Sequence, residues 1–184
     1  MGADSRRPAL LDLLEGYAPT APDAIRHRSA TLEHVRATAR PFDRDDTDPG
    51  HVTASGFVLH PGGGSVLLVL HRTVGRWIQP GGHVDPADPS PGEAAAREIV
   101  EETGVTGLRP IGLGLLDVDV HRYPAREGGD PAHLHFDLRF GFRAESDGLE
   151  PADEVVTARW VPVGDLEVLE RSVRRPATAL LRLS

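Results

Sequence analysis

Residues 97–105 read Arg97-Glu98-Ile99-Val100-Glu101-Glu102-Thr103-Gly104-Val105. They close a stretch of strong helix formers, GEAAAREIVEET over residues 92–103, and Gly104 is placed to cap it. On a helix, Glu98, Glu101 and Glu102 stand at i, i+3 and i+4, so their carboxylates project from one face. Like charges at this spacing repel, and acids near a helix C-terminus oppose the macrodipole. One explanation is a solvated acidic face, the ordinary reading of a charge run. The other is a hard divalent cation, Mg²⁺ or Mn²⁺, which takes oxygen ligands from carboxylates and substrate phosphates and removes the conflict. The three glutamates alone leave both open.

The preceding residues decide. Gly81-Gly82-His83-Val84-Asp85-Pro86-Ala87-Asp88 reads as a turn leading into the helix. Residues 82–105 together resemble the Nudix box, the loop–helix signature of the Nudix hydrolases. Gly82 opens it, and Arg97, Glu98, Ile99, Glu101, Glu102, Gly104 and Val105 match its second half. There are two departures. Asp88 stands where the box has its first Glu, and the spacing from there to Arg97 is one residue longer than the pattern. In the family that acid pairs with the arginine and braces the loop. Asp88 is one partner for Arg97 here, and Glu93, at i,i+4 on the helix, is the other. The added residue falls in the loop DPADPSPG, where extra length costs little.

The resemblance implies an α/β (α+β) fold, the Nudix fold, with a mixed β-sheet sandwiched between helices. It implies hydrolysis of a diphosphate joining a nucleoside to another moiety, with Mg²⁺ or Mn²⁺ as cofactor. Candidate substrates are ADP-ribose and other nucleotide sugars, nucleoside triphosphates (oxidised ones included) and dinucleoside polyphosphates. Glu98, Glu101 and Glu102 are the implied metal ligands, Glu98 ligating or acting as base. The Gly81 carbonyl is a further ligand, since glycine lets the backbone approach a cation closely. Arg97 is implied to be structural. A catalytic base outside the box is expected on the loop before a late strand, with Glu154 the first choice and Asp153, Glu150 and Glu145 its rivals. For substrate contacts, Arg72, Arg76 and Arg139 are candidate phosphate clamps, because the guanidinium fork fits phosphate. Trp77 is a candidate base-stacking residue, although an aromatic before a glycine turn is more often core. His83 lies beside the box glycines. His133 and His135 alternate on a strand and share one face. With Asp137 they offer a His/carboxylate metal set; the simpler reading has them lining the pocket or the exposed strand face.

Along the 184 residues, positions 1–50 are expected to form a helical extension and linker, and 51–184 the catalytic domain. Residues 8–17 and 23–40 carry helix-like apolar spacing, with Ile25, Leu32 and Val35 marking the second helix. PFDRDDTDPG at 41–50 reads as a solvated linker. Strands are expected at 51–60, 65–72, 113–123, 133–144 and 158–163, with Gly62–Gly64 as a hairpin turn. Residues 165–183 read as helix interrupted at Pro176.

Composition narrows the chemistry. All twenty basic residues are Arg, and Lys, Cys and Asn are absent. No Cys excludes a thiolate nucleophile, a disulfide and a Cys-based zinc site. It also counts against the isoprenoid diphosphate isomerase branch of the same fold, which resembles an enzyme using a catalytic Cys. No Lys excludes a Schiff base or a phosphate-loop lysine. The net charge of −8 argues against a nucleic-acid polymer as partner. No apolar run reaches the roughly 20 residues of a membrane span, and the start MGADSRRP lacks a signal peptide's apolar centre. A cytoplasmic enzyme acting on a small phosphorylated partner is therefore expected, with a homodimer the commonest assembly. The competing class is a nucleotide-sensing Nudix-fold protein without catalysis; the complete box argues against that.

Overall fold

In a computed structural model that describes residues 2–112, 114–125, 128–153 and 155–183, strand β1 (Gly50–Leu59) is the axis of the molecule. It runs parallel to β7 (His133–Arg143) along its whole length, from Gly50↔Leu134 to Leu59↔Arg143. Its other edge is divided. Near the end, Leu59 pairs with β2 (Ser65–His71); nearer the start, Thr53–Ser55 pair with the short β4 (Gly81–His83). The far edge of β7 is divided likewise between β5 (Arg109–Pro110) and β6 (Asp117–Tyr123). β2 also pairs with β3 (Trp77–Ile78) and with β8 (Val155–Pro162). The result is the expected mixed sheet.

Period-two alternation assigns its two faces. Val52, Ala54 and Val58 of β1 and Phe136, Leu138 and Phe142 of β7 pack with helices α1 (Arg7–Gly16), α2 (Pro22–Ala37) and α3 (Pro91–Thr103). Phe57 and Leu59 point the other way, onto Leu166 of a short 3₁₀ turn (Val163–Val168) and Val173, Ala177 and Leu180 of α4 (Arg171–Leu183). The sheet therefore lies between helices. Along that second face the apolar residues give way to His51, Thr53 and Ser55 on β1 and to His133, His135, Asp137 and Arg139 on β7.

Several sequence expectations need correction. Ile25 is exposed, and Ala24, Thr31 and Leu32 take the buried face of α2. The 41–50 linker is not wholly solvated: Phe42 is buried, under the Arg6 guanidinium at 4.6 Å. Pro176 lies inside α4 without breaking it, and the chain before α4 is 3₁₀ rather than α. β6 begins at Asp117 and β8 at Val155. The Gly62–Gly64 turn joins β1 to β2 with left-handed glycines at 63 and 64. Among the described residues, no helix is long and apolar enough to cross a membrane.

Candidate active site

Helix α3 begins with a reciprocal cap. Ser90 Oγ accepts from the Glu93 amide at 3.3 Å and donates to the Glu93 carboxylate at 3.0 Å. It ends at Gly104, whose φ of 72° closes the last turn through its N–H to the Val100 carbonyl. Ile99 and Ala95 anchor its inner face in the core. Glu98 and Glu102 are thereby left at the boundary with β4, and Glu101 in solvent, its side chain 57% exposed.

The glycines of β4 allow the sheet to meet this acidic face. The Gly81 amide donates to Glu102 Oε2 at 3.0 Å. A Cβ at Gly82 would lie 2.7 Å from both oxygens of the Glu98 carboxylate, and one at Gly81 would strike Ser55. Side chains are thus excluded where the loop touches the carboxylates.

Arg97 ties helix and loop together. It gives Asp88 two parallel bonds, Nε to Oδ1 at 3.0 Å and Nη2 to Oδ2 at 2.9 Å, a bidentate pair. Nη2 also donates to the His83 carbonyl, and Nη1 to Glu98 and Glu101 at 3.0 and 2.8 Å. The guanidinium holds the Asp88 carboxyl below the usual carboxylate range, and Asp88 in turn raises Arg97. Glu93, the other residue offered for the brace, is turned to Ser90 instead. Sequence reasoning missed Arg6, which donates to the backbone carbonyls of Asp85 and Asp88 at 2.7 and 2.9 Å. Nothing local announces a contact across that separation.

The remaining candidates fall in different places. The loop before β8 docks on the end of α3: the amides of Glu150 and Ala152 donate to the carbonyls of Thr103 and Glu102. Glu154 lies outside the described residues. Arg72 holds that loop through the carbonyls of Asp153 and Val155. Glu145 pairs with Arg109, and Arg76 with Glu170 on the surface. Trp77 packs against the second core with Arg159 stacked 4.1 Å above its ring. Arg139 corrects its assignment as a phosphate clamp. It is buried, and its guanidinium is spent on Asp117, Asp119, Asp137 and the Ser172 carbonyl. Burial disfavours its charge, but the three carboxylates outweigh burial and raise it.

His133 and His135 do not sit on an exposed face. His133 is buried, and Tyr123 stacks on His135 at 4.6 Å. His51 and His83 complete the cluster, their rings 5.1 Å apart. Burial pushes His51 below its ordinary value, His83 down to about 4 and His135 to about 2, disfavouring the charged form of these three rings. Asp137 is not part of this group. It turns to Ser55, Gln79 and Arg139.

Glu98, Glu101 and Glu102 offer hard carboxylate oxygens, the type that Mg²⁺ and Mn²⁺ take. Here, however, Arg97 lies between Glu98 and Glu101, and the Gly81 amide bonds Glu102. Among the described residues, only His51, His133 and His135 have three ligand atoms all within 4.8 Å of one another. The side-chain-free cradle at Gly81 and Gly82 fits a cation there, because a Cβ would fill the space against Glu98.

The profile of the family described as NUDIX domain matches residues 49–182. A Bacillus subtilis (strain 168) protein provisionally named as an 8-oxo-dGTP diphosphatase is 38% identical over 101 residues, 55% of this chain and 60% of that protein. An 8-oxo-(d)GTP phosphatase of Mycolicibacterium smegmatis (strain ATCC 700084 / mc(2)155) is 31% identical over 154 residues, 77% of this chain and 42% of that protein. The chain thus spans less than two thirds of either relative. The crystal structure of a hydrolase of the NUDIX family from Clostridium perfringens superposes with a TM-score of 0.56 at 24% identity, covering 72% of this chain and 97% of that one. That likeness is one of fold.

Proposed function

Since this chain belongs to the Nudix family, we propose that it is a divalent-metal-dependent pyrophosphohydrolase that cleaves the diphosphate of a nucleoside diphosphate linked to another moiety. The observation that carries this reading is the meeting of the α3 carboxylates with the Gly81–Gly82 cradle under the Arg97–Asp88 brace.

Glu98, Glu101 and Glu102 would hold Mg²⁺ or Mn²⁺, with the Gly81 carbonyl as a further oxygen. When bound, the cation neutralises phosphate charge and lowers the pKa of a water molecule. Glu98 would accept the proton of the attacking water. The water oxygen would then bond to phosphorus as the bridging P–O bond breaks, its electron pair leaving on the departing phosphate. Arg97 does not touch the substrate in this scheme. It keeps Glu98 and the loop in register through Asp88 and the His83 carbonyl.

The names of the two relatives support oxidised guanine nucleoside triphosphates as the first substrates to test, followed by nucleotide sugars such as ADP-ribose and dinucleoside polyphosphates. Residues 1–50 are read as an extension to the catalytic domain, which the family match beginning at residue 49 supports.

The experiment is a panel of these phosphoanhydrides with Mg²⁺ and with Mn²⁺, products resolved by mass, on wild type and Glu101→Gln. Wild type should turn over at least one class. Glu101→Gln should abolish turnover with stability changed by no more than about 0.5 kcal/mol, as for an exposed residue. Nucleotide binding without turnover in wild type would favour the sensing reading, and unchanged turnover in the variant would overturn the site.

A further inference from the structure

The imidazole cluster on the polar face of the sheet is not used by the chemistry proposed above. The parallel register sets His51 opposite His135, and His133 precedes His135 by two residues on the same face. One nitrogen from each of these three rings lies within 4.8 Å of the others. Two rings have their tautomer fixed from behind. His51 Nδ1 faces the Asp46 carbonyl at 3.1 Å, and His133 Nδ1 faces the Pro131 carbonyl at 2.8 Å. A carbonyl only accepts, so both Nδ1 atoms carry the proton and both Nε2 atoms bring lone pairs forward. This backing of a ring N–H by a carbonyl is the usual outer support of a metal-binding histidine.

In front, His133 Nε2 and His135 Nε2 are 3.1 Å apart. Tetrahedral bonds of about 2.0–2.1 Å place nitrogen ligands roughly 3.3 Å from each other, close to this spacing. His51 Nε2 is buried without a hydrogen-bond partner. A single proton shared by His133 and His135 does not satisfy it, whereas a cation among the three does.

We propose that His51, His133 and His135 form a binding site for a borderline transition-metal dication, Zn²⁺ foremost, separate from the carboxylate site on α3. Ligand chemistry divides the two. Asp137, the nearest carboxylate along β7, is committed to Thr53, Ser55, Gln79 and Arg139, which leaves an all-imidazole set. Imidazole suits Zn²⁺, whereas carboxylate and water suit Mg²⁺ and Mn²⁺. Three protein ligands leave a fourth position for water. The inference does not depend on the activity proposed above.

The test uses the full chain stripped of metal and titrated with Zn²⁺ against a chromophoric chelator. One Zn²⁺ per chain should bind and should persist in the Glu98→Gln/Glu101→Gln double variant. His51→Gln and His133→Gln should each weaken it by more than about 100-fold, beyond the roughly 10–100-fold cost of losing an outer-shell partner. X-ray absorption on Zn²⁺-loaded wild type decides the matter even if the histidine variants fail to fold: three imidazole scatterers support the site. An all-oxygen shell overturns it, as does uptake lost in the glutamate variant but kept in both histidine variants, or no uptake at all.

Discussion

Arg6 and Arg97 both grip Asp88: Arg6 takes its backbone carbonyl at 2.9 Å, and Arg97 takes its carboxylate with two bonds. The loop between β4 and α3 is therefore held both by the helix that follows it and by the segment just before α1.

Arg6→Ala removes bonds to the Asp85 and Asp88 carbonyls and the stacking on Phe42. The expected cost is about 1–3 kcal/mol, as for hydrogen bonds from a charged donor. Hydrogen exchange of the Asp85, Ala87, Asp88 and Ser90 amides should accelerate more than exchange in β1. A uniform change across the fold would mean that Arg6 does not act on the loop.

The Asp88 carboxyl faces Arg97, receives the Asp85 amide at 2.8 Å, and lies near the Asp85 side chain and Arg6. Its folded pKa is depressed, chiefly by Arg97. The stability it contributes is thus fully present above the unfolded carboxylate value of about 4, and is lost as pH falls through the depressed folded value. Unfolding of wild type and Asp88→Asn from pH 7 to 3 should show a gap of about 2 kcal/mol at pH 7 that narrows in acid. A constant gap would count against the assigned pairing.

Gly82→Ala should keep the fold and lose turnover, because its Cβ would stand 2.7 Å from the Glu98 carboxylate. Gly63→Ala is the control. Its φ of 74° carries strain, but no atom lies within 4 Å of the added methyl. It should cost about 1 kcal/mol in stability and leave kcat unchanged. Equal kcat in both variants would mean that the Gly82 cradle does not position Glu98 for turnover.

Arg139→Met should destabilise by about 3–5 kcal/mol, because three carboxylates in a buried setting lose their shared cation. Arg76→Ala, breaking an exposed pair with Glu170, should shift stability by no more than about 0.5 kcal/mol. Denaturant unfolding measures both. A stable Arg139→Met with raised KM would restore Arg139 as a phosphate contact.

The acidic face was legible in the sequence because helix geometry alone fixes which of Glu98, Glu101 and Glu102 share a side. The glycine cap at 104 and the alternation of residues 133–143 were legible for the same local reason. The tertiary structure decides for Asp88 over Glu93, since both lie within reach of Arg97 along the chain and only the Ser90 cap withdraws Glu93. The arginines were the least legible. A guanidinium fits phosphate, carboxylate or a backbone carbonyl, and Arg6, Arg72, Arg76 and Arg139 each found a protein partner.

By itself, then, the sequence determined the box helix, its shared carboxylate face and the sheet strands that alternate in polarity, because these depend on spacings of a few residues. Only the tertiary structure decided that Arg6 reaches the box loop, that Arg139 is buried, and that His51 joins His133 and His135. Those meetings depend on the parallel register of β1 and β7 and on helix docking, which bring distant positions together through packing that no local spacing encodes.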